Sequence, residues 1–177
     1  MTLSGQPDGV LVIDKPVGPT SHDIVARVRR HLGCRTGHTG TLDPGASGVL
    51  PLVIGRATRL AALLQSSEKA YRVTLQLGLS TDTYDWQGRE TERRPVPTLD
   101  DTRIEAALQR FRGSTSQTVP PFSAVRVAGE RLYKAARRGE SRPLPIRTVE
   151  VSELTLVEKT QDRWTLTVTF WPLPTTL

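Results

Sequence analysis

Cysteine occurs once in these 177 residues, at Cys34, so no disulfide can close within the chain. One cysteine and three scattered histidines also fall short of a structural zinc site. Long apolar runs are lacking too: none approaches the roughly 18 residues of a spanning helix, and the opening MTLSGQPDG is too polar for a signal peptide. These absences predict a protein of the reducing cytoplasm that uses no metal and enters no membrane. Acidic residues are missing between Ile24 and Leu42, where Arg27, Arg29, Arg30 and Arg35 stand. Over the chain Lys and Arg number 24 against 18 Asp and Glu, with seven basic residues and two glutamates from Arg126 to Arg147. Clustered positive charge suits a polyanion, although it also describes an ordinary solvated face.

The pattern of apolar residues predicts an α+β fold. GVLVID (9–14) is a short apolar run closed by Lys15-Pro16 and Gly18-Pro19, the mark of a buried strand entering a turn. Ser21 or Asp23 is placed to cap a helix with Ile24, Val25, Val28 and Leu32 on one face and Gly33 as its stop. Val49 to Ile54 reads as a strand and Ala57 to Leu64 as a helix. From Tyr71 to Leu79 apolar and polar residues alternate as in a half-buried strand. Beyond Pro95 and Pro97, Ile104, Leu108 and Phe111 share a helical face that ends before Gly113, and a shorter helix is expected from Leu132 to Arg138. Val149 to Val157 and Trp164 to Phe170 are two more strands, the second with Trp164, Leu166, Val168 and Phe170 on one side. The order lacks regular strand–helix alternation, which argues against a doubly wound sheet.

Residues 37–48, GHTGTLDPGASG, hold four glycines in twelve positions, too many for a helix or central strand, and so predict a shaped loop. Pro44 keeps Asp43 out of helical geometry, so a carboxylate is held at a set place. On these residues alone a turn in which Asp43 merely bonds nearby amides is the better explanation.

GHTGTLDPGASGVLPLVIG closely resembles the signature loop of TruB-type pseudouridine synthases, and four further segments resemble that family in the same order. These are GVLVIDKPVGPTSHDIV, KAYRV (69–73), GLSTDTYDWQG (78–88) and PPFSAVRVAGERLYKAARRG (120–139). The resemblance implies a pseudouridine synthase fold, a mostly antiparallel mixed sheet flanked by helices. It implies a cofactor-free isomerisation of a uridine in the T-loop of tRNA, at position 55, in which Asp43 is the catalytic residue. Tyr71 then lies under the flipped uracil, although its phase alone would make it a core residue. His38 fills the space that the base leaves, and Asp82 joins an ion-pair network with an active-site arginine. Lys15 is a candidate phosphate contact, though a turn lysine beside a proline is more often only solvated. The expected partner is the T-stem-loop of tRNA, bound by a monomer.

The chain departs from the family where the strand ending at Phe170 is followed by WPLPTTL instead of a segment resembling CSKGTYIRSL, whose arginine pairs with the catalytic aspartate. The expected organisation is a flexible stretch 1–8, an incomplete catalytic domain 9–170 and an atypical tail 171–177, without the family's C-terminal RNA-binding domain. A frameshift or early stop after Phe170 is the reading that fits. An alternative function follows, a catalytically impaired module that binds tRNA or assists its folding.

Overall fold

A computed structural model describes residues 7–65, 67–123 and 125–171, which fall into two compact units, Met1–Ser67 and Glu68–Leu177. In the first, strand β1 (Gly9–Lys15) leads through a Gly-Pro turn into helix α1 (Ser21–Leu32), followed by β2 (Thr36–His38) and β3 (Gly48–Ile54). The three strands pair antiparallel in the order β1-β3-β2. Helix α1 begins one residue earlier than its sequence signals suggest. Thr20 is the N-cap: its hydroxyl accepts from the Asp23 amide at 3.1 Å while the Asp23 carboxylate accepts from the Thr20 amide at 2.8 Å, a reciprocal capping box. Gly33 ends the helix in the left-handed region at φ 63°, its amide donating to the Arg29 carbonyl. Val25, Leu50 and Leu52 form the buried centre, with Leu11, Ile13, Ile24, Val28 and Leu42 packed around it. The helix expected over 57–64 is a 3-10 turn over Gly55–Leu60 running into the short α2 (Ala61–Gln65).

The second unit is built on β4 (Lys69–Gln76), β7 (Gly113–Thr118), β10 (Ile146–Lys159) and β11 (Arg163–Trp171), antiparallel in the order β4-β11-β10-β7. Helix α3 (Asp101–Gln109) lays Ile104 and Leu108 against Leu154, Trp164 and Leu166, so the expected faces of both α3 and β11 are the buried ones. Phe111 is the exception. The helix stops at Gln109, and two residues later Phe111 has left the helical phase and is exposed. Two small hairpins, β5 (Leu79–Thr81) with β6 (Glu90–Arg93) and β8 (Arg126–Val127) with β9 (Glu130–Arg131), are not announced by the apolar pattern, and α4 (Leu132–Arg137) follows β9. Every strand pairing among the described residues is antiparallel. Among those residues no helix is long and apolar enough to cross a membrane.

Of the stretch expected to be flexible, 1–6 lie outside the described residues, whereas Asp8 is tied down by the Arg56 amide at 2.6 Å and guanidinium at 2.5 Å. Of the expected tail only Trp171 is described, as the last residue of β11.

Candidate active site

Asp43 lies in the connection between β2 and β3. The strand β2 claims residues through His38, so the shaped loop is shorter than the glycine pattern suggests. Two segments from before the loop fix it. The first is the end of β1: Lys15 is 0% exposed, and its ammonium donates to the carbonyls of Pro16 at 3.0 Å, Asp43 at 3.1 Å and Ala46 at 2.7 Å. An ammonium has three N–H donors and all three are used, so Lys15 offers no phosphate contact; the expectation of one fails because the side chain points inward. A buried cation is costly unless its hydrogen bonds are made, and here carbonyl dipoles make them.

The second is the start of α1. Ser21, spared from capping because Thr20 does that work, is buried and bonds the Leu42 backbone twice: its hydroxyl donates to the carbonyl and accepts from the amide, each at 2.9 Å. Further along, the Gly18 amide donates to the Pro44 carbonyl at 2.8 Å, and the Ala46 amide closes a turn onto the Asp43 carbonyl at 3.0 Å. Residues 42, 43, 44 and 46 are thus pinned through their main chain, while the Asp43 side chain is exposed. The aspartate is presented, not buried. Sequence reasoning missed the role of Ser21; the available signal was a second hydroxyl directly after a residue already able to cap.

His38 ends β2 opposite Leu52 and is half-buried. Its Nδ1 is buried without a hydrogen-bond partner among the described residues. Burial and, secondarily, the nearby His22 pull its pKa below the usual 6.5, against an opposing hydrogen bond with the Gly40 backbone. The imidazole is therefore neutral at neutral pH.

Tyr71 and Asp82 belong to the second unit. Tyr71 sits on β4 opposite Val168, partly buried, with its ring stacked on Phe170 at 5.3 Å between centroids and 2° between planes. This is the apolar face that its phase predicts, and one side of the ring is engaged there. Asp82 brackets the turn between β5 and β6: its amide donates to the Arg89 carbonyl at 3.1 Å and its carboxylate accepts the Arg89 amide at 2.9 Å, with the Arg89 guanidinium 4.0 Å away. The geometry matches the ordinary turn aspartate. The five expected site residues are thus divided, Lys15, His38 and Asp43 in one unit and Tyr71 and Asp82 in the other.

Charge is distributed differently in the two basic stretches. On and after α1, Arg27, Arg30 and Arg35 are exposed and make no ion pair among the described residues, while Arg29 donates to the Thr36 carbonyl at 3.1 Å. In the later stretch Arg138 and Arg142 both grip Glu130 and Glu140, and the hydrogen bonds to Arg138 and Arg142 hold the Glu140 carboxyl down to about 2. That stretch is thus partly self-neutralised at Arg138 and Arg142, whereas the exposed arginines of the α1 region are not.

The architecture is shared with solved structures. A crystal structure of a Cbf5-Nop10-Gar1 complex matches 93% of this chain and 40% of its own at TM-score 0.65 and 26% identity. An archaeal box H/ACA sRNP Nop10-Cbf5 complex matches 93% and 38% at TM-score 0.60 and 26% identity. The class is therefore an α+β domain of the pseudouridine synthase fold. The chain belongs to the TruB family of pseudouridylate synthases, whose N-terminal domain profile matches residues 29–171. It is 49% identical over 150 residues to tRNA pseudouridine synthase B of Thermobifida fusca (strain YX), covering 84% of this chain and 51% of that protein. Against tRNA pseudouridine synthase B of Gloeobacter violaceus it is 50% identical over 153 residues, 85% and 52% of the two. The chain spans about half the length of the curated relatives it matches.

Proposed function

We propose that this chain carries the uridine-reacting part of a tRNA pseudouridine synthase, with Asp43 as the catalytic carboxylate and the T-loop uridine at position 55 as the target. The observation that carries the reading is the treatment of Asp43: main chain pinned on both sides by Lys15, Ser21 and Gly18, carboxylate left open to a ligand. In the reaction the N1–C1′ bond of uridine breaks, the base turns, a C5–C1′ bond forms, the hydrogen at C5 leaves as a proton, and N1 takes up a proton, so that the product is an isomer. One ionised carboxylate serves this as nucleophile or as base, and positioning is what makes such a group effective. The names of the relatives, tRNA pseudouridine synthase B, support tRNA as the substrate.

Extruding a stacked base costs a few kcal/mol. Stacking on an aromatic ring returns about 1 to 3 kcal/mol, and Tyr71, its plane set by Phe170, is the residue proposed to supply it. His38, neutral and at the start of the Asp43 connection, suits the space left by the base better than a charged imidazole would. Asp82 is kept as a support of the same site. The exposed arginines of the α1 region supply phosphate contacts.

A second reading is a module that binds tRNA, or aids its folding, without turnover. It is favoured by one observation: among the described residues of its own unit the Asp43 carboxylate makes no ion pair with a Lys or Arg nitrogen. Tritium release from unmodified tRNA labelled at uridine C5, with the chain and its Asp43→Asn variant, separates the two. Release that disappears in the variant supports the isomerase. Binding by both proteins with release by neither supports the module.

A further inference from the structure

Of the segment GLSTDTYDWQG the function proposed above uses Asp82 alone. The connection between β5 and β6 also carries the two most exposed aromatic rings among the described residues, Trp86 at 76% and Tyr84 at 66%. Among those residues neither ring is stacked on another ring or under a guanidinium, unlike Tyr71 on Phe170 and Tyr133 under Arg137. The backbone that presents them is fixed. Asp85 Oδ1 accepts from the Thr83 hydroxyl at 2.6 Å and from the Gln87 and Gly88 amides at 3.0 and 3.1 Å. The Thr81 hydroxyl donates to the Asp85 carbonyl at 2.8 Å, and the Tyr84 amide to the Thr81 carbonyl at 3.3 Å. Tyr84 itself lies in the left-handed region at φ 61°, where glycine or asparagine would sit without strain and a bulky residue persists only because its surroundings impose it. Strain and exposed ring surface are both unfavourable in the chain alone, and a ligand that covers the rings accounts for both.

The size and charge of the turn narrow that ligand. Two rings exposed to this degree offer on the order of 300 Å², against about 800 Å² per partner in a stable protein complex, whereas each ring alone matches the face of one nucleobase. The carboxylates of the hairpin are already occupied: Asp85 by the bonds above, Asp82 by the Arg89 amide at 2.9 Å, Glu90 by Arg93 and Glu92 by Arg94. The Arg89 side chain is 87% exposed and no closer than 4.0 Å to Asp82, which leaves its guanidinium open to a phosphate. Free rings beside an open cation suit a single-stranded nucleic acid, base on ring and phosphate on guanidinium. We propose that Tyr84 and Trp86 form a stacking platform for unpaired bases of the RNA, distinct from the stack on Tyr71 and resting on the reading of this chain as a tRNA-binding enzyme. Because the turn is rigid beforehand, little ordering is lost when a base docks.

The test measures the Kd for unmodified tRNA in the Asp43→Asn chain, where turnover does not intervene, and again with Tyr84→Gly, Trp86→Ala or Trp86→Phe added. Tyr84→Gly removes the ring and also relieves the backbone, so a weaker complex is not the result of a damaged turn. Tyr84→Gly and Trp86→Ala should each raise Kd about fivefold or more, and Trp86→Phe should restore most of the loss. The slope of log Kd against log salt should stay as it was, since stacking releases no counterions. Unchanged Kd in both ring-deleted variants overturns the platform, and so does a shallower salt slope, which would make the turn a phosphate contact only. Unchanged Kd together with loss of a self-association that the parent shows on concentration would assign the rings to a second copy instead. Tritium release by the chain with Asp43 intact is followed separately. Asp43-dependent release with unchanged Kd rejects the platform alone; weakened binding without any release keeps the platform and rejects the isomerase; a parent that does not bind tRNA rejects both.

Discussion

Replacing Lys15 by Met is the sharpest perturbation of the Asp43 loop. Methionine keeps an unbranched apolar stem in the buried slot but donates no hydrogen bond, leaving the Ala46 carbonyl without its lysine donor and the Asp43 carbonyl with the Ala46 amide alone. An unpaired buried polar group costs about 1 to 3 kcal/mol, and relief from burying the ammonium returns part of it. The net expectation is a loss of about 1 to 2 kcal/mol, a sizeable part of the roughly 5 to 15 kcal/mol that holds a domain together. The distribution of side chains supplies the assay. All nine aromatics, Trp86, Trp164, Trp171, Tyr71, Tyr84, Tyr133, Phe111, Phe122 and Phe170, lie beyond residue 67, while Cys34 lies before it. Pulsed labelling of Cys34 against urea therefore follows the first unit, and tryptophan fluorescence follows the second. At a slope of about 1 kcal/mol per M the Cys34 midpoint should fall by roughly 1 to 2 M. A shift below about 0.5 M would show that the three carbonyl contacts do not hold the loop, and the idea of a pinned Asp43 would go with it.

Ser21→Ala removes both bonds to Leu42 and should cost about 1 to 2 kcal/mol in the same Cys34 assay; combined with Lys15→Met the losses should not add, because both act on one loop. Burial lowers the folded pKa of His38 below 6.5, so the unfolded chain takes the proton first. The stability that neutral His38 contributes is complete above about 6.5 and declines as pH falls from there toward the folded value, and His38→Asn should flatten that slope in urea melts run from pH 7.5 down to about 5.5. Gly88→Ala places a methyl within 3.0 Å of Thr83 Oγ1, Asp82 Oδ1 and the Thr81 side chain, and should destabilise the β5–β6 hairpin by roughly 1 to 3 kcal/mol, visible as faster hydrogen exchange at the Asp82 amide.

The elements that periodicity announces are the ones found. β10 and β11 lie where expected and α1 and α3 bury the predicted stripes, because in each the apolar face also meets the core, whereas the strand expected over Tyr71 to Leu79 ends as β4 at Gln76, with Leu75 exposed and Leu79 in β5. What sequence reading passed over has no such face. β7 is GSTSQT, without one large apolar residue, and is a strand because β10 supplies a partner for its main chain. β5 and β6 are held by Asp82, and the loop between them by Asp85, whose carboxylate accepts from the Thr83 hydroxyl and from the Gln87 and Gly88 amides. Side-chain bonds to main chain leave no period to read. Phe111 shows the converse, a residue at helical spacing in the sequence but beyond the point where the helix has ended.

The site was legible to a different depth. The glycine and proline spacing around Asp43 identifies a held carboxylate, but not what holds it, since the anchors lie 28 and 21 residues away, at Lys15 and Ser21. Both sit in the DKPVGPTS segment, where lysine beside proline suggests solvent and serine suggests a cap. The geometry gives that segment another purpose: it is the mould against which the Asp43 loop is cast, with its lysine inward. A substitution there would act on chemistry at Asp43 without touching a substrate. In kinetics such a change should lower turnover through misplacement of the carboxylate, leaving the arginines of the α1 region, and so the affinity for RNA, largely as they were.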